Sequence, residues 1–237
     1  MKKIKKTIIF FGVLLSFIFM LNSLTFGIGT FKEILNKYTS ENDVRKVLII
    51  KTNSDKSKDK DWEKIKSLAK VYFYEKDENN SWIPIFEEEK AYIGKNGPGK
   101  TKEGDLKTPL GEFNILGAFG IKEKPKEKPK GTKLAYIKIT GSIYACDEDC
   151  KYYNEIIDTK KLNHDCKGEH MIDYKPHYNY GLTIDFNKEN DHKKGSNIFL
   201  HCFGTKLYTG GCAAFNEERI KEVILKSEPF DTKVCII

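Results

Sequence analysis

The sequence predicts a mainly β fold, an antiparallel β-sandwich with a few short helices, behind an N-terminal apolar segment that acts as a signal or anchor helix. Three observations carry this expectation. Short runs of β-branched and aromatic residues recur along the chain with glycine or asparagine between them. Only one stretch, Asn216 to Ser227, places apolar residues (Ile220, Val223, Ile224, Leu225) convincingly at helical spacing. The length, 237 residues, suits one well-buried domain plus an N-terminal appendage, and no internal repeat divides it.

Lys2, Lys3, Lys5 and Lys6 precede Thr7 to Phe31, which carry no charge and include Ile8-Ile-Phe-Phe-Gly-Val-Leu-Leu15. Residues 1–29 therefore read as an export signal or a membrane anchor through residues 7–29, with the basic end in the cytoplasm. No Ala-x-Ala site is present, so the expectation is an uncleaved anchor or cleavage near Gly27 to Gly29. Residues 30–45 read as a short polar helix or stalk, and residues 46–237 as the folded domain. Within it, Val47 to Lys51 opens the domain, Thr52 to Trp62 reads as a loop, and Trp62 to Leu68 as a short helix. The expected strands are Lys70–Glu75, Ser81–Phe86, Lys90–Ile93, Gly111–Leu116, Lys133–Thr140, Tyr180–Phe186 and Ser196–Cys202. Val234 to Ile237 is expected to close the sheet.

The formal net charge of +7 gives no case for a nucleic-acid partner. Without the four N-terminal lysines, 41 Lys and Arg become 37 against 34 Asp and Glu, a balance of +3. The run Lys122 to Lys130 interleaves Lys, Glu and Pro with no aromatic to stack on a base, as a solvated loop does.

The chemistry concentrates near the C-terminus. His201 sits in the strand-like run Ser196-Asn-Ile-Phe-Leu-His-Cys202, and eleven residues later Cys212 follows Thr209-Gly210-Gly211. A thiol is a strong nucleophile only as thiolate, and an imidazole beside it takes its proton and holds an ion pair. Two glycines let the backbone turn sharply and aim the N–H groups of Gly210, Gly211 and Cys212 at one point, as an oxyanion requires. A helix beginning at Asn216 would add its dipole to lower the thiol pKa. The competing reading is a buried cysteine and a core histidine, both common on their own.

Further upstream, Gly104-Asp105-Leu-Lys-Thr108-Pro109-Leu-Gly111-Glu-Phe113 resembles the G-D-x-x-T-P-x-G-x-F segment of the YkuD-type L,D-transpeptidases. His201 to Cys212 resembles that family's signature, a histidine, a variable loop and [Ser/Thr]-His-Gly-Cys, and the likeness covers residues 46 to 237. The signature histidine is Gly210 here, and the arginine two residues past the cysteine is Ala214, as in a divergent branch with Thr-Ala-Gly-Cys-x-Ala. The resemblance implies Cys212 as nucleophile, His201 as general base and the Cys202 carbonyl as the group that orients it. It implies an exported enzyme of the cell wall or periplasm that cleaves peptidoglycan stem peptides before a D-alanine and joins the acyl group to an amine, with no cofactor. An L,D-carboxypeptidase or related cysteine hydrolase and a non-catalytic wall-binding module are the alternatives.

Candidate cleft residues are Thr209, Thr108, Tyr153, Asn154 and His170. Proline and glycine give Thr108-Pro109-Leu110-Gly111 a competing role in shaping a turn, and each aromatic is as readily core. A second cluster, Cys146-Asp-Glu-Asp-Cys150, His164-Asp-Cys166 and His170, combines residue types that suit zinc with thiols that can pair in an exported protein. Disulfide, free thiols and metal stay open in that order. The C-x3-C spacing is loose for a structural zinc site and the resemblance requires no metal, so none is assigned to the site.

Overall fold

Four consecutive apolar residues, Val47 to Ile50, are all buried in the first strand, β1 (Lys46–Thr52). Side chains alternate along a strand, so such a run needs cover on both faces. The computed structural model describes residues 31–53, 60–126, 132–165 and 167–237, and it provides both covers. Leu48 and Ile50 join the main core, whereas Val47 and Ile49 pack with Tyr38, Val44, Tyr72 and Cys235 on the other side.

That outer cover is a helix, α1 (31–39). The ring of Phe31 meets Tyr72 edge-on at 4.6 Å, the Tyr38 hydroxyl donates to Glu112 Oε2 at 2.5 Å, and Trp82 Nε1 donates to the Leu35 carbonyl at 2.9 Å. The expected stalk is therefore helical as read, but it is docked on the sheet rather than standing off it. The expected signal or anchor, residues 1–29, lies outside the described residues. Among the described residues no helix is long and apolar enough to cross a membrane.

The strands that follow are β2 (Leu68–Lys76), β3 (Trp82–Tyr92), β4 (Gly111–Gly120), β5 (Tyr136–Lys138), β6 (Ile143–Cys146), β7 (Glu155–Asp158), β8 (Glu169–His170), β9 (Gly181–Ile184), β10 (Phe199–Cys202), β11 (Ala213–Phe215) and β12 (Thr232–Ile236). Short helices α2 (Trp62–Ile65) and α3 (Thr159–Leu162) and the longer α4 (Glu217–Lys226) complete the set, with single 3-10 turns at Met171–Asp173 and His177–Asn179. The mainly β expectation holds; the sandwich does not. One sheet runs β12-β1-β2-β3-β11-β10-β9-β4, and β12 also pairs with β4, so eight strands close into a barrel. Val234 lies opposite Leu48 on one side and Phe113 on the other. The C-terminal strand thus closes the sheet as expected, and closure removes the edges that two stacked sheets would expose. The pairing is mixed, not mainly antiparallel in every seam: β1–β12 and β10–β11 run parallel. The runs read as two strands, Ser81–Phe86 and Lys90–Ile93, are one strand, β3, with Glu88 in a left-handed conformation between them.

The main core takes residues two apart along each strand, such as Val71 and Phe73, Leu182 and Ile184, Leu200 and Cys202, Val234 and Ile236, and adds Ile220, Val223 and Ile224 of α4. Asn216 caps α4, its Oδ1 accepting from Glu218 N at 2.8 Å.

A second, three-stranded sheet, β7-β6-β8, escaped the sequence reading because its strands are two to four residues long. Through Ile143 and Ala145, with Met171 and Tyr178 of the 3-10 turns that follow it, this sheet packs on Phe119, Phe199 and Cys212. Phe199 alternates with the inward Leu200, so this small sheet lies on the outer wall of the barrel.

Burying a large apolar side chain contributes about 1.5–3 kcal/mol, and α1 buries Tyr38 and covers Val47 and Ile49. A chain beginning at Lys46 should therefore melt about 5–10 °C below one beginning at Phe31. Thermal denaturation followed by circular dichroism measures this, and equal midpoints would mean that the helix adds nothing to the barrel.

Candidate active site

β10 and β11 are parallel neighbours, with His201 opposite Ala214 and Leu200 opposite Ala213. Leu200, Cys202, Ala213 and Phe215 face the barrel core. His201 lies on the opposite side of β10, and Cys212 immediately precedes β11 on the outer wall, where both line one cavity of about 450 Å³.

Both groups are buried. His201 Nδ1 lies 2.8 Å from the Cys202 carbonyl, which can only accept, so Nδ1 carries the proton and Nε2 is left as a base. Burial lowers the His201 pKa to about 4, against the pull of that carbonyl, and His177, with its ring centroid 5.9 Å away, lowers it further. The Cys212 thiol accepts from Phe199 N at 3.2 Å and donates to the Asn197 carbonyl at 3.3 Å. Burial pushes its pKa up to about 12 although the Phe199 N–H favours the thiolate. Desolvation thus favours the neutral thiol and the neutral imidazole over the expected ion pair, and a helix terminus, whose influence fades within a turn, adds little against it.

The turn before Cys212 is tied from two sides. Thr209 Oγ1 accepts from Gly211 N at 3.1 Å and donates to the Cys212 carbonyl at 2.6 Å. Thr108 Oγ1 accepts from Gly94 N at 2.8 Å and faces the carbonyls of Gly211 at 2.7 Å and Cys212 at 3.1 Å. Gly211 has φ +155°, and a Cβ there would meet Ile198 Cδ1 and the Lys107 carbonyl at 3.0 Å each. A Cβ at Gly210 would meet nothing within 4 Å. Of the three N–H groups expected to hold an oxyanion, that of Gly211 is spent inside the turn. Those of Gly210 and Cys212 remain.

Thr108 is positioned by Asp105. Its carboxylate accepts from the backbone of Thr101 at 2.7 Å, Lys107 at 3.0 Å and Lys102 at 3.2 Å, and from Lys100 Nζ at 3.1 Å. Burial alone would raise its pKa, but these donors hold it at about 2.

Of the five cleft residues expected, Thr209 lines the cavity. Thr108 is buried behind the turn as its brace. Tyr153 stacks on His192 at 4.3 Å and donates to Glu103 Oε2 at 2.7 Å, so it supports the wall without forming it. Asn154 is a strut: its Oδ1 accepts from Asn197 N at 2.9 Å, and its Nδ2 donates to the Asn187 carbonyl at 3.0 Å. His170 stacks on Tyr144 at 4.6 Å, with Nδ1 2.8 Å from Asp173 Oδ2 and Nε2 3.0 Å from the Gly141 carbonyl, away from the cavity. These three positions are corrections: each satisfies its polar atoms within the protein.

Several lining residues carried no strong sequence signal. Asn197 is buried with a left-handed backbone (φ 52°), and neither atom of its carboxamide finds a partner among the described residues. His177 lies in the His170–Asn179 segment, and its ring closes on Gly204 so tightly that a Cβ there would sit 1.7 Å from Nε2. Glu103, Asp147 and Glu169 give the cavity acidic groups, whereas Lys95 and Lys206 supply basic ones. Glu169 accepts from the Tyr178 hydroxyl at 2.6 Å, and burial nevertheless raises its pKa. Tyr178 also meets His201 edge-on at 5.6 Å.

No protein-family model matches the chain, and no curated protein does. Among solved structures, the chain aligns with Bd1075 of Bdellovibrio bacteriovorus at 17% identity and a TM-score of 0.39, over 84% of this chain and 49% of that one. It thus spans about half the length of that protein.

Two outcomes follow from this geometry. Thr108→Val should strand the Gly94 N–H and the Gly211 carbonyl and lower stability by about 2–4 kcal/mol, whereas Thr108→Ser keeps the hydroxyl and most of the stability; urea titration of both variants checks this. Between pH 6.5 and about 4 the unfolded chain protonates His201 while the folded protein keeps it neutral. Its contribution therefore lowers stability by about 1.4 kcal/mol per pH unit as pH falls through that window. His201→Gln should remove this part of the slope in denaturation measured from pH 7 to 4.

Proposed function

We propose that this chain is an exported cysteine acyltransferase of the YkuD-type L,D-transpeptidase kind, acting on peptidoglycan stem peptides. The observation that carries the reading is the His201 imidazole, fixed by the Cys202 carbonyl in the tautomer that leaves Nε2 basic, in the same cavity as Cys212. The order of the two matching segments, Gly104 to Phe113 and His201 to Cys212, adds to it. The lysine cluster before residues 7–29 supports an outward-facing domain held or led by that segment.

Cys212 Sγ attacks the carbonyl between the third stem residue and the terminal D-alanine, and its proton passes to His201 Nε2. The tetrahedral oxyanion faces the N–H groups of Gly210 and Cys212. Collapse breaks the C–N bond, His201 returns the proton to the leaving amine, D-alanine departs and a thioester remains on Cys212. An amine of a second stem resolves it into a 3–3 cross-link, or water resolves it into a shortened stem. Keeping both groups neutral until the peptide arrives avoids a buried ion pair and leaves proton transfer to accompany attack. The Asn197 carboxamide offers a donor and an acceptor to a peptide group, and acidic and basic groups in one cavity suit a peptide that carries both charges.

Product analysis on purified muropeptides tests the reading. Wild type should yield cross-linked dimers; trimmed tripeptides would identify a carboxypeptidase, and binding without change a wall-binding module. Cys212→Ala should abolish turnover in a folded protein, and His201→Ala should slow it by orders of magnitude. Full turnover by Cys212→Ala would overturn the mechanism.

A further inference from the structure

The turn that leaves β6 gathers side chains that ligate transition metals, outside the cavity. Cys146 Sγ lies 3.4 Å from Cys150 Sγ and 3.8 Å from Glu148 Oε1. From the far side, His164 Nε2 lies 3.9 Å from Cys150 Sγ and 3.7 Å from Glu148 Oε1. The ligand atoms of Cys146, Glu148 and Cys150 all fall within 4.8 Å of one another. Around a tetrahedral zinc, with bonds of about 2.3 Å to sulfur and about 2.0–2.2 Å to nitrogen or oxygen, neighbouring ligand atoms stand roughly 3.3–3.8 Å apart. Four of the six separations here span 3.4 to 3.9 Å, and His164 would close onto the other three as the metal binds, since it stands outside the set lying within 4.8 Å of one another.

We propose that Cys146, Cys150, His164 and Glu148 hold a structural zinc ion. Two thiols and an imidazole select a borderline-soft metal over calcium or magnesium, and four protein ligands leave no open position for catalysis. The backbone around the cluster supplies the polar contacts such a site needs. Tyr152 N donates to Cys150 Sγ at 3.4 Å, Lys167 N donates to Glu148 Oε1 at 3.3 Å, and the Tyr152 ring meets His164 edge-on at 4.9 Å. The cluster joins residues 146–150 to the segment after α3, which approaches it through His164. Binding releases the two thiol protons as Cys146 and Cys150 become thiolates.

The position gives the metal a structural task. Asp147, which lines the cavity, stands between two ligands, and the Cys146 carbonyl accepts from Asn154 N at 2.8 Å. Asn154 in turn holds Asn197 N. Fixing Cys146 therefore fixes the acidic wall and the strut behind Asn197, while Cys212 and His201 lie on the barrel itself. This reading is independent of the proposed reaction, and it departs from the sequence expectation, which set disulfide and free thiols ahead of metal and did not single out Glu148.

The test is metal content of the full chain, purified under reducing conditions without chelator and reconstituted with zinc chloride before gel filtration. One zinc per chain is expected, and Cys150→Ser and His164→Ala should each weaken zinc binding about tenfold or more, as read by a chromophoric chelator, while Cys235→Ser retains it. To separate ligand loss from unfolding of those variants, wild type is also titrated with cobalt, and intense visible bands of tetrahedral coordination with a near-ultraviolet thiolate charge-transfer band are expected. Wild type that takes up neither metal, zinc affinity unchanged in Cys150→Ser, or a Cys146–Cys150 disulfide in non-reducing peptide maps of a second preparation purified without reductant would each overturn the proposal.

Discussion

The hydroxyl of Thr108 joins two segments 103 residues apart, and the candidate site depends on it. A threonine hydroxyl has one proton and two lone pairs. Here it accepts from Gly94 N and directs its proton to the carbonyls of Gly211 and Cys212, inside the protein and away from water. Thr209 bonds the same Cys212 carbonyl from the other side. The backbone on either side of the Gly211–Cys212 peptide is thus held without help from solvent. A left-handed glycine can keep its conformation there, and Cys212 enters β11 with its thiol on the outer wall. Asp105 stands one step further back, its carboxylate fastening the loop that presents Thr108.

Burial then sets the chemistry. The cavity lies between the barrel's outer wall and the small sheet, and Phe119, Phe199 and Tyr178 pack around Cys212. In such surroundings a thiolate and an imidazolium each lose most of their hydration, and mutual attraction offsets that cost only with good geometry and further hydrogen bonds. The thiol is favoured as thiolate by the N–H groups of Phe199 and of Cys212 itself, and the imidazole has one acceptor, the Cys202 carbonyl. This is too little to stabilise the charged pair, so both pKa values move toward the neutral forms. The group that drives His201 down, burial, is also what leaves its Nε2 unprotonated through the whole neutral range.

The sequence made local features legible and long-range ones less so. Val47 to Lys51 read as the opening of the domain, but nothing local told that α1 covers one face of this strand. Barrel and sandwich share the same alternation; the difference is a single seam, Val234 against Phe113, between segments far apart in the chain. The carbonyl of Cys202 stands where the resemblance led one to look, because adjacent residues on a strand fix their relation. Tyr153, Asn154 and His170 lay near the right segments, but a side chain's direction there depends on packing against His192, Asn197 and Tyr144. Asn197 was passed over for the opposite reason. In the sequence it reads as part of the strand Ser196–Cys202, whereas β10 starts at Phe199 and the left-handed backbone of Asn197 leaves its carboxamide in the cavity.

Placing the site on the outside of the barrel separates two demands on the same strands. Along β10, Leu200 and Cys202 fill the core, while on the other face His201 lines the cavity and Phe199 packs under the small sheet, and the alternation of side chains keeps the two sets apart. Cys202 illustrates the division: its thiol points inward and donates to the Tyr180 carbonyl, with burial pushing its pKa up to about 12, while its own carbonyl orients His201. The barrel strands carry His201 and lead out of Cys212, and the small sheet, packed in one cluster with Phe199 and Cys212, flanks the cavity beside them. Asp147 and Glu169 belong to that outer layer, at the end of β6 and in β8. Changes at Asp147 and Glu169 alter the charge that faces a ligand, and Glu169 also bonds Tyr178, which packs with Cys212 and meets His201.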